Sequence, residues 1–214
     1  MPIIFISLND SFIKEISKYD YKAYKMKIED YIPNKKTYYV SPANSLCFMD
    51  GGIDLSLSKN VFPNIEKYVK QTVEKLKITN LLGRYYLPIG SSIIFDFNEF
   101  KSLIVAPTML LPQDVSKTRN AYYATIAVLY NILINKNENI NEIDIIFTSF
   151  CCGYGKMKEQ ESIKQILEAI NDYYNYKPHI INKNIIINEP NLLDQPKLYQ
   201  NTEWFHIDPN QIIK

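Results

Sequence analysis

Three nearly uninterrupted apolar runs constrain the fold of this chain more than any other feature. They are Ile3–Leu8 (IIFISL), Ser102–Ala106 (SLIVA) and Ile143–Phe147 (IDIIF). A strand with one wet face alternates apolar and polar residues. A continuous run needs cover on both faces, the situation of parallel strands sandwiched by helices. The segments between them have helical spacing. Phe12, Ile13 and Ile16 follow the capping residues Asn9-Asp10-Ser11. Val61, Ile65, Tyr68, Val69, Val73 and Leu76 form a second apolar stripe, for which Pro63 must lie in the first turn. Ala121, Thr125, Val128, Leu129, Ile132 and Leu133 form a third, with Thr118 as its expected cap, and Ile163, Ile166, Leu167 and Ile170 a fourth within Lys158–Ile170. Tyr24–Ile28, Thr37–Val40, Ile93–Phe97 and Ile185–Ile187 are the remaining expected strands. Strands alternating with helices predict an α/β layered sheet, largely parallel in the middle.

The 214 residues suit one domain, and no repeat, low-complexity tract or linker divides residues 1–214. A net charge of +1 argues against a nucleic-acid footprint. Arg84 and Arg119 are the only arginines, so backbone amides would be the main holders of a phosphate-bearing ligand. No stretch reaches the roughly 20 apolar residues needed to span a bilayer, and MPIIFISLND lacks the basic flank of a signal peptide. The cysteines, Cys47, Cys151 and Cys152, make neither a disulfide framework nor a zinc pattern. A reducing, cytoplasmic setting, a monomer, no membrane association, no metal and no cofactor are the expectations. Cys151 and Cys152 invite a nucleophile, but His179 and His206 lie far along the chain without a distinguishing motif.

Two loops carry chemical interest. The first lies in Val40–Asp54 (VSPANSLCFMDGGID), where a strand runs through small residues to a Gly-Gly pair and an acid. Gly51 and Gly52 let the backbone take positive φ and lie against a ligand. Amides at such a junction form a seat for phosphate, with Ile53 leading into a short helix. Asn44, Asp50 and Asp54 are side chains able to reach whatever the loop cradles. The plainer reading is a solvated turn with a helix cap. The second loop follows Phe147 and contains Cys152-Gly153-Tyr154-Gly155. It is neither a Walker motif nor G-x-G-x-x-G. Both loops lie beyond the carboxyl ends of strands, the edge where open α/β sheets bind ligands.

Val40, Ala43, Asn44, Gly51, Gly52, Ile53 and Asp54 fall, without a gap, where macro domains carry V-N-A-A-N, a Gly-rich loop and G-V-D. The chain resembles that family across most of Tyr24 to about Asn171. Ser41-Pro42 and Met49-Asp50 depart from its pattern, and Lys156-Met157 replaces the aromatic-proline pair expected after the second loop. The resemblance implies a three-layer α/β/α fold with a mixed, centrally parallel sheet. It implies a single macro-like domain with a core over about 20–175 and a C-terminal extension over about 178–214.

The resemblance also implies ADP-ribose, or an ADP-ribosylated protein, as ligand. Asp30 falls where the family has the Asp that accepts from the adenine amino group. Cys152, Gly153, Tyr154 and Gly155 match the loop that binds diphosphate and distal ribose, where Tyr154 could pack on a sugar. Asn44 would hydrogen-bond the distal ribose, and Asp54 would orient or activate water, with its pKa lowered by the helix start. Three functions compete: a hydrolase of ADP-ribosyl linkages, removing ADP-ribose from protein or an acyl group from ADP-ribose; a non-catalytic ADP-ribose reader; and another nucleotide-binding α/β protein.

Overall fold

The continuous apolar runs do become strands buried on both faces. The structure, a computed structural model, describes residues 3–175 except 78, 82, 137 and 140, together with two short strands at 179–181 and 184–186. In chain order the elements are β1 (Ile3–Ser7), α1 (Asp10–Ile16), β2 (Lys22–Lys25), β3 (Lys36–Ser41), α2 (Gly52–Ser56), α3 (Ile65–Leu76), β4 (Thr79–Leu81), β5 (Arg84–Tyr86), β6 (Ile93–Asp96), β7 (Lys101–Val105), α4 (Asn120–Tyr130), β8 (Ile143–Phe147), α5 (Glu159–Asn175), β9 (His179–Ile181) and β10 (Asn184–Ile186). The main sheet has six strands in the order β2-β1-β8-β3-β7-β6. All neighbours are parallel except the edge pair β6–β7, which is antiparallel.

Alternate residues of each central strand feed two separate cores. Ile3 and Phe5 of β1, Tyr38 and Val40 of β3, and Ile145 and Phe147 of β8 face α1, α4 and α5. Ile4, Ile6, Tyr39, Leu103 and Ile146 face the opposite layer, built from α3 and the π-helical turn Leu57–Val61 that precedes it. The fold is therefore a three-layer α/β/α sandwich around a mixed, centrally parallel sheet.

Several elements differ from expectation. β1 pairs with both β2 and β8, so the core starts at Ile3 and not near residue 20. The strand expected over Tyr24–Ile28 lies earlier, at Lys22–Lys25, and Ile28–Asp30 forms a 3-10 turn that buries Ile28. The shift reflects pairing: Tyr24 aligns with Ile6 and Lys25 with Ser7, where β1 ends. Pro63 precedes α3, whose N-cap Asn64 takes a left-handed conformation. Tyr68 and Leu76 point outward, 58% and 51% exposed, while Ile65, Val69 and Val73 supply the buried face. Thr118 stands one residue before the N-cap residue Arg119, yet its Oγ1 accepts from the first amide of α4, Asn120 N, at 3.3 Å, while its hydroxyl donates to Val115 O at 2.8 Å. Asn9 does cap α1, accepting from the Phe12 amide at 3.1 Å. The expected strand Ile185–Ile187 corresponds to β10, which pairs antiparallel with β9. The remainder of the extension, including Trp204 and His206, lies outside the described residues.

Phe147 is fully buried in the aromatic centre of the first core, with ring centroids 6.1 Å from Phe5 and 5.5 Å from Phe150. Replacing Phe147 by Ala should cost about 3–5 kcal/mol. Urea unfolding should show this as a lower midpoint with an unchanged slope.

Candidate functional site

β3 and β8 are adjacent and parallel, with Tyr38 opposite Ile145 and Tyr39 opposite Ile146. Their following loops therefore leave the same edge of the sheet side by side. The first loop is rooted by zipping that continues past the strand ends. Thr108 donates its amide to Ala43 O at 3.0 Å and its hydroxyl to Pro42 O at 2.9 Å, and Ser45 N donates to Met109 O at 2.7 Å. Buried Cys47 and Met49 anchor the loop from below, and the Ser58 hydroxyl donates to Met49 O at 2.9 Å.

Asn44 is nearly buried, and its amide is turned onto the loop itself. Its Oδ1 accepts from Phe48 N and its Nδ2 donates to Phe48 O, both at 3.3 Å. Gly52 begins α2 at φ +53°, a conformation L side chains rarely adopt, and a Cβ there would meet nothing within 4 Å. Conformation, not crowding, demands glycine here, and the space in front of the backbone is open. Ile53 is half-buried against the α3-side core. Asp50 is exposed.

Asp54 sits one residue after Ile53 and accepts from the Ser41 hydroxyl at 2.6 Å. Burial pushes its carboxyl up to about 7; the charge of Asp50 adds to the rise, and the Ser41 hydrogen bond opposes it. This overturns the expectation of a lowered pKa. α2 has only five residues, too little helix to offset the loss of solvent. Ser41 was not anticipated as a site residue. Its signal was present, since the last residue of a strand whose neighbour Val40 faces one core must itself face the other side.

The second loop doubles back on itself. Cys151 has φ +62°, Met157 N donates to Cys151 O at 3.0 Å, and Lys156 N donates to Gly153 O at 3.0 Å. Gly155 fills a place with no room for a side chain: a Cβ would collide with Cys151 O and lie 2.8 Å from Val115 Cγ2. Gly153 is exposed, and Tyr154 is 73% exposed. The Cys152 thiol donates to Phe150 O at 3.2 Å and is pushed up to about 11, chiefly by burial, so it is not a thiolate at neutral pH. Among the described residues no group of three or more His, Cys, Asp or Glu is placed to hold a metal. No described helix is long and apolar enough to cross a membrane.

The two loops meet. A Cβ on Gly51 would lie 3.9 Å from Tyr154 Cε2, so the Tyr154 ring stands beside the backbone that opens α2. Gly51, Gly52 and Tyr154 thus border the space between the loops, the candidate groove, with the Asp54 carboxyl held by Ser41 two residues further along α2. Asp30 lies exposed at the end of the 3-10 turn that packs against α2. Two deeper clefts lie apart from this groove. One, of about 430 Å3, is lined by Leu46, Phe48, Lys70 and Arg84 among others. The other, of about 540 Å3, is lined by Lys117, Arg119, Lys156 and Lys158 among others. The shallow groove is nonetheless the better candidate site, because the glycine backbone, the perturbed acid and the strand ends converge there.

No family model and no curated protein matches this sequence. Solved structures do match its fold. A mutant of the Oceanobacillus iheyensis macrodomain solved with ADPR superposes with a TM-score of 0.55 at 13% identity, covering 96% of this chain and 94% of that one. The same macrodomain with ADP gives 0.52 at 17% identity, covering 68% and 71% of the two chains. The macrodomain of Mycobacterium tuberculosis DarG gives 0.50 at 14% identity, covering 78% and 90%. The chain has the macrodomain fold.

Two measurements test this geometry. Gly155→Ala should displace the second loop and lower the melting temperature, whereas Gly153→Ala, where a Cβ meets nothing within 4 Å, should not. Carboxyl NMR should find Asp54 titrating near 7, further up in Ser41→Ala and lower in Asp50→Asn. The folded chain holds this proton more tightly than the unfolded one. Its stabilising contribution is therefore complete below the unfolded carboxylate pKa and is lost as pH rises toward 7. Asp54→Asn should flatten that stretch of the stability profile.

Proposed function

We propose that this protein binds ADP-ribose in the groove between its glycine loops and hydrolyses ADP-ribosyl linkages there. The observation that carries the reading is the meeting of Gly51 and Tyr154 at the shared edge of β3 and β8. The diphosphate lies on the amides of Gly51, Gly52 and Ile53 and of the Cys152–Gly155 loop, where backbone N–H groups substitute for an arginine cluster. Tyr154 packs on a ribose, and Asp30 receives the adenine amino group. The fold likeness to macrodomains, one of them solved with ADPR, supports this ligand class.

Asp54 is the residue suited to proton work. A carboxyl near pKa 7 is substantially ionised at neutral pH yet basic enough to accept a proton from water. Where ADP-ribose is removed from protein, water oxygen bonds to the ribosyl carbon, the bond to the protein acceptor breaks, and the proton taken by Asp54 passes to the departing acceptor. Where an acyl group is removed, water oxygen bonds to the acyl carbon and the ribose oxygen departs with that proton. Asp50 adds negative charge beside Asp54 and holds its basicity up.

A non-catalytic reader is the second reading, and one observation favours it. Both polar atoms of the Asn44 side chain are engaged by Phe48, which turns the amide onto its own loop and leaves one N–H and one lone pair for a ribose.

Calorimetric titration with ADP-ribose, alongside AMP and NAD, is the deciding experiment. Selective ADP-ribose binding, lost in Gly52→Glu with the thermal transition retained, is the expected result; absence of binding by the native chain would sink the reading. For the hydrolase, kcat/KM should rise with pH through about 7, following the Asp54 titration. Asp54→Ala should remove turnover while sparing much of the affinity. Binding without turnover would leave the reader.

A further inference from the structure

The cleft of about 540 Å3 beside the second loop is not part of the glycine groove and has a different character. Every residue lining it is polar or charged. Four are cations, Lys117, Arg119, Lys156 and Lys158, against a single carboxylate, Glu161. Two of the cations are partly neutralised from outside the cleft: Arg119 pairs with Glu168 at 2.7 Å, and Lys156 with Asp114 at 3.7 Å. Lys117 and Lys158 enter no ion pair among the described residues, so they carry the uncompensated charge. In a chain of net charge +1 this concentration is local. At the cleft floor, Gln165 is 3% exposed and fixed by donating to Thr118 O at 2.7 Å and by accepting from Tyr122 N at 3.4 Å. The wall is tied to the second loop, since Val115 N donates to Gly155 O at 3.0 Å.

Such a cleft is within the size range of small-molecule sites, but no aromatic or aliphatic side chain lines it. Its chemistry suits a compact, strongly hydrated polyanion that can meet several ammonium groups at once. We propose that this cleft is a second ligand site, taking a small polyphosphate-class anion distinct from whatever occupies the glycine groove. The assignment is independent of the ADP-ribose reading.

The test is calorimetric titration of the full chain with inorganic tripolyphosphate, at low and at high salt. Saturable binding that weakens with salt is expected. The double variant Lys117→Ala/Lys158→Ala should lose about tenfold or more per lysine removed, and Lys117→Arg/Lys158→Arg should retain most of the affinity. Both lysines are exposed, so the thermal transition should hold in each variant. Gly52→Glu should leave tripolyphosphate binding unchanged. No saturable binding by the native chain, equal affinity in the double alanine variant, or loss in Gly52→Glu would each overturn the site. Displacement by a short single-stranded oligonucleotide at lower concentration would overturn the small-anion assignment. Failure of ADP-ribose binding would leave this result untouched, because the two ligands are read by different variants.

Discussion

The parallel pairing of β3 with β8 is the interaction on which the rest depends. Their register sets Tyr38 against Ile145 and Tyr39 against Ile146, so each strand feeds both cores. A slip of one residue would exchange the two sets of side chains and unmake both layers. Because the strands run the same way, the chain leaves both at one edge. Antiparallel pairing would have sent the two glycine loops to opposite ends of the sheet. The groove is thus a consequence of the burial that stabilises the fold.

The loops are rigid where they leave the sheet and open where they meet. Thr108 and Met109 extend the β3–β7 zipping past the strand ends, and the second loop closes on itself between Cys151 and Met157. Between these fixed roots stand Gly52, with space in front of it, and the exposed Tyr154. Asp54 occupies the boundary between the buried layer and the open groove. That position makes its charge expensive, and the same position exposes its proton to chemistry.

Much of this was legible from residue order. The continuous runs of β1, β7 and β8 needed cover on both faces, and they have it. Two of the departures share a cause, which is contact with partners distant in sequence. β2 stops at Lys25 because β1 stops at Ser7, a limit absent from the residues around Tyr24. Tyr68 and Leu76 fit the helical spacing of α3, yet the sheet covers only the stripe through Ile65, Val69 and Val73. Thr118 does reach the first amide of α4, but from one position before the N-cap residue Arg119, because its hydroxyl also closes the local turn onto Val115 O.

The sequence by itself determined the layered α/β architecture and the two glycine-bearing loops. Period and composition encode burial directly, and glycine encodes backbone freedom. Only the tertiary structure decided that Gly51 faces Tyr154, that the Asn44 amide engages Phe48, and that Asp54 is raised to about 7. It also gathered Lys117 and Lys158, 41 residues apart in the chain, around one cleft. Apart from the four-residue Asn44–Phe48 contact, these depend on desolvation and on contacts between separate segments, quantities that no local stretch of sequence contains.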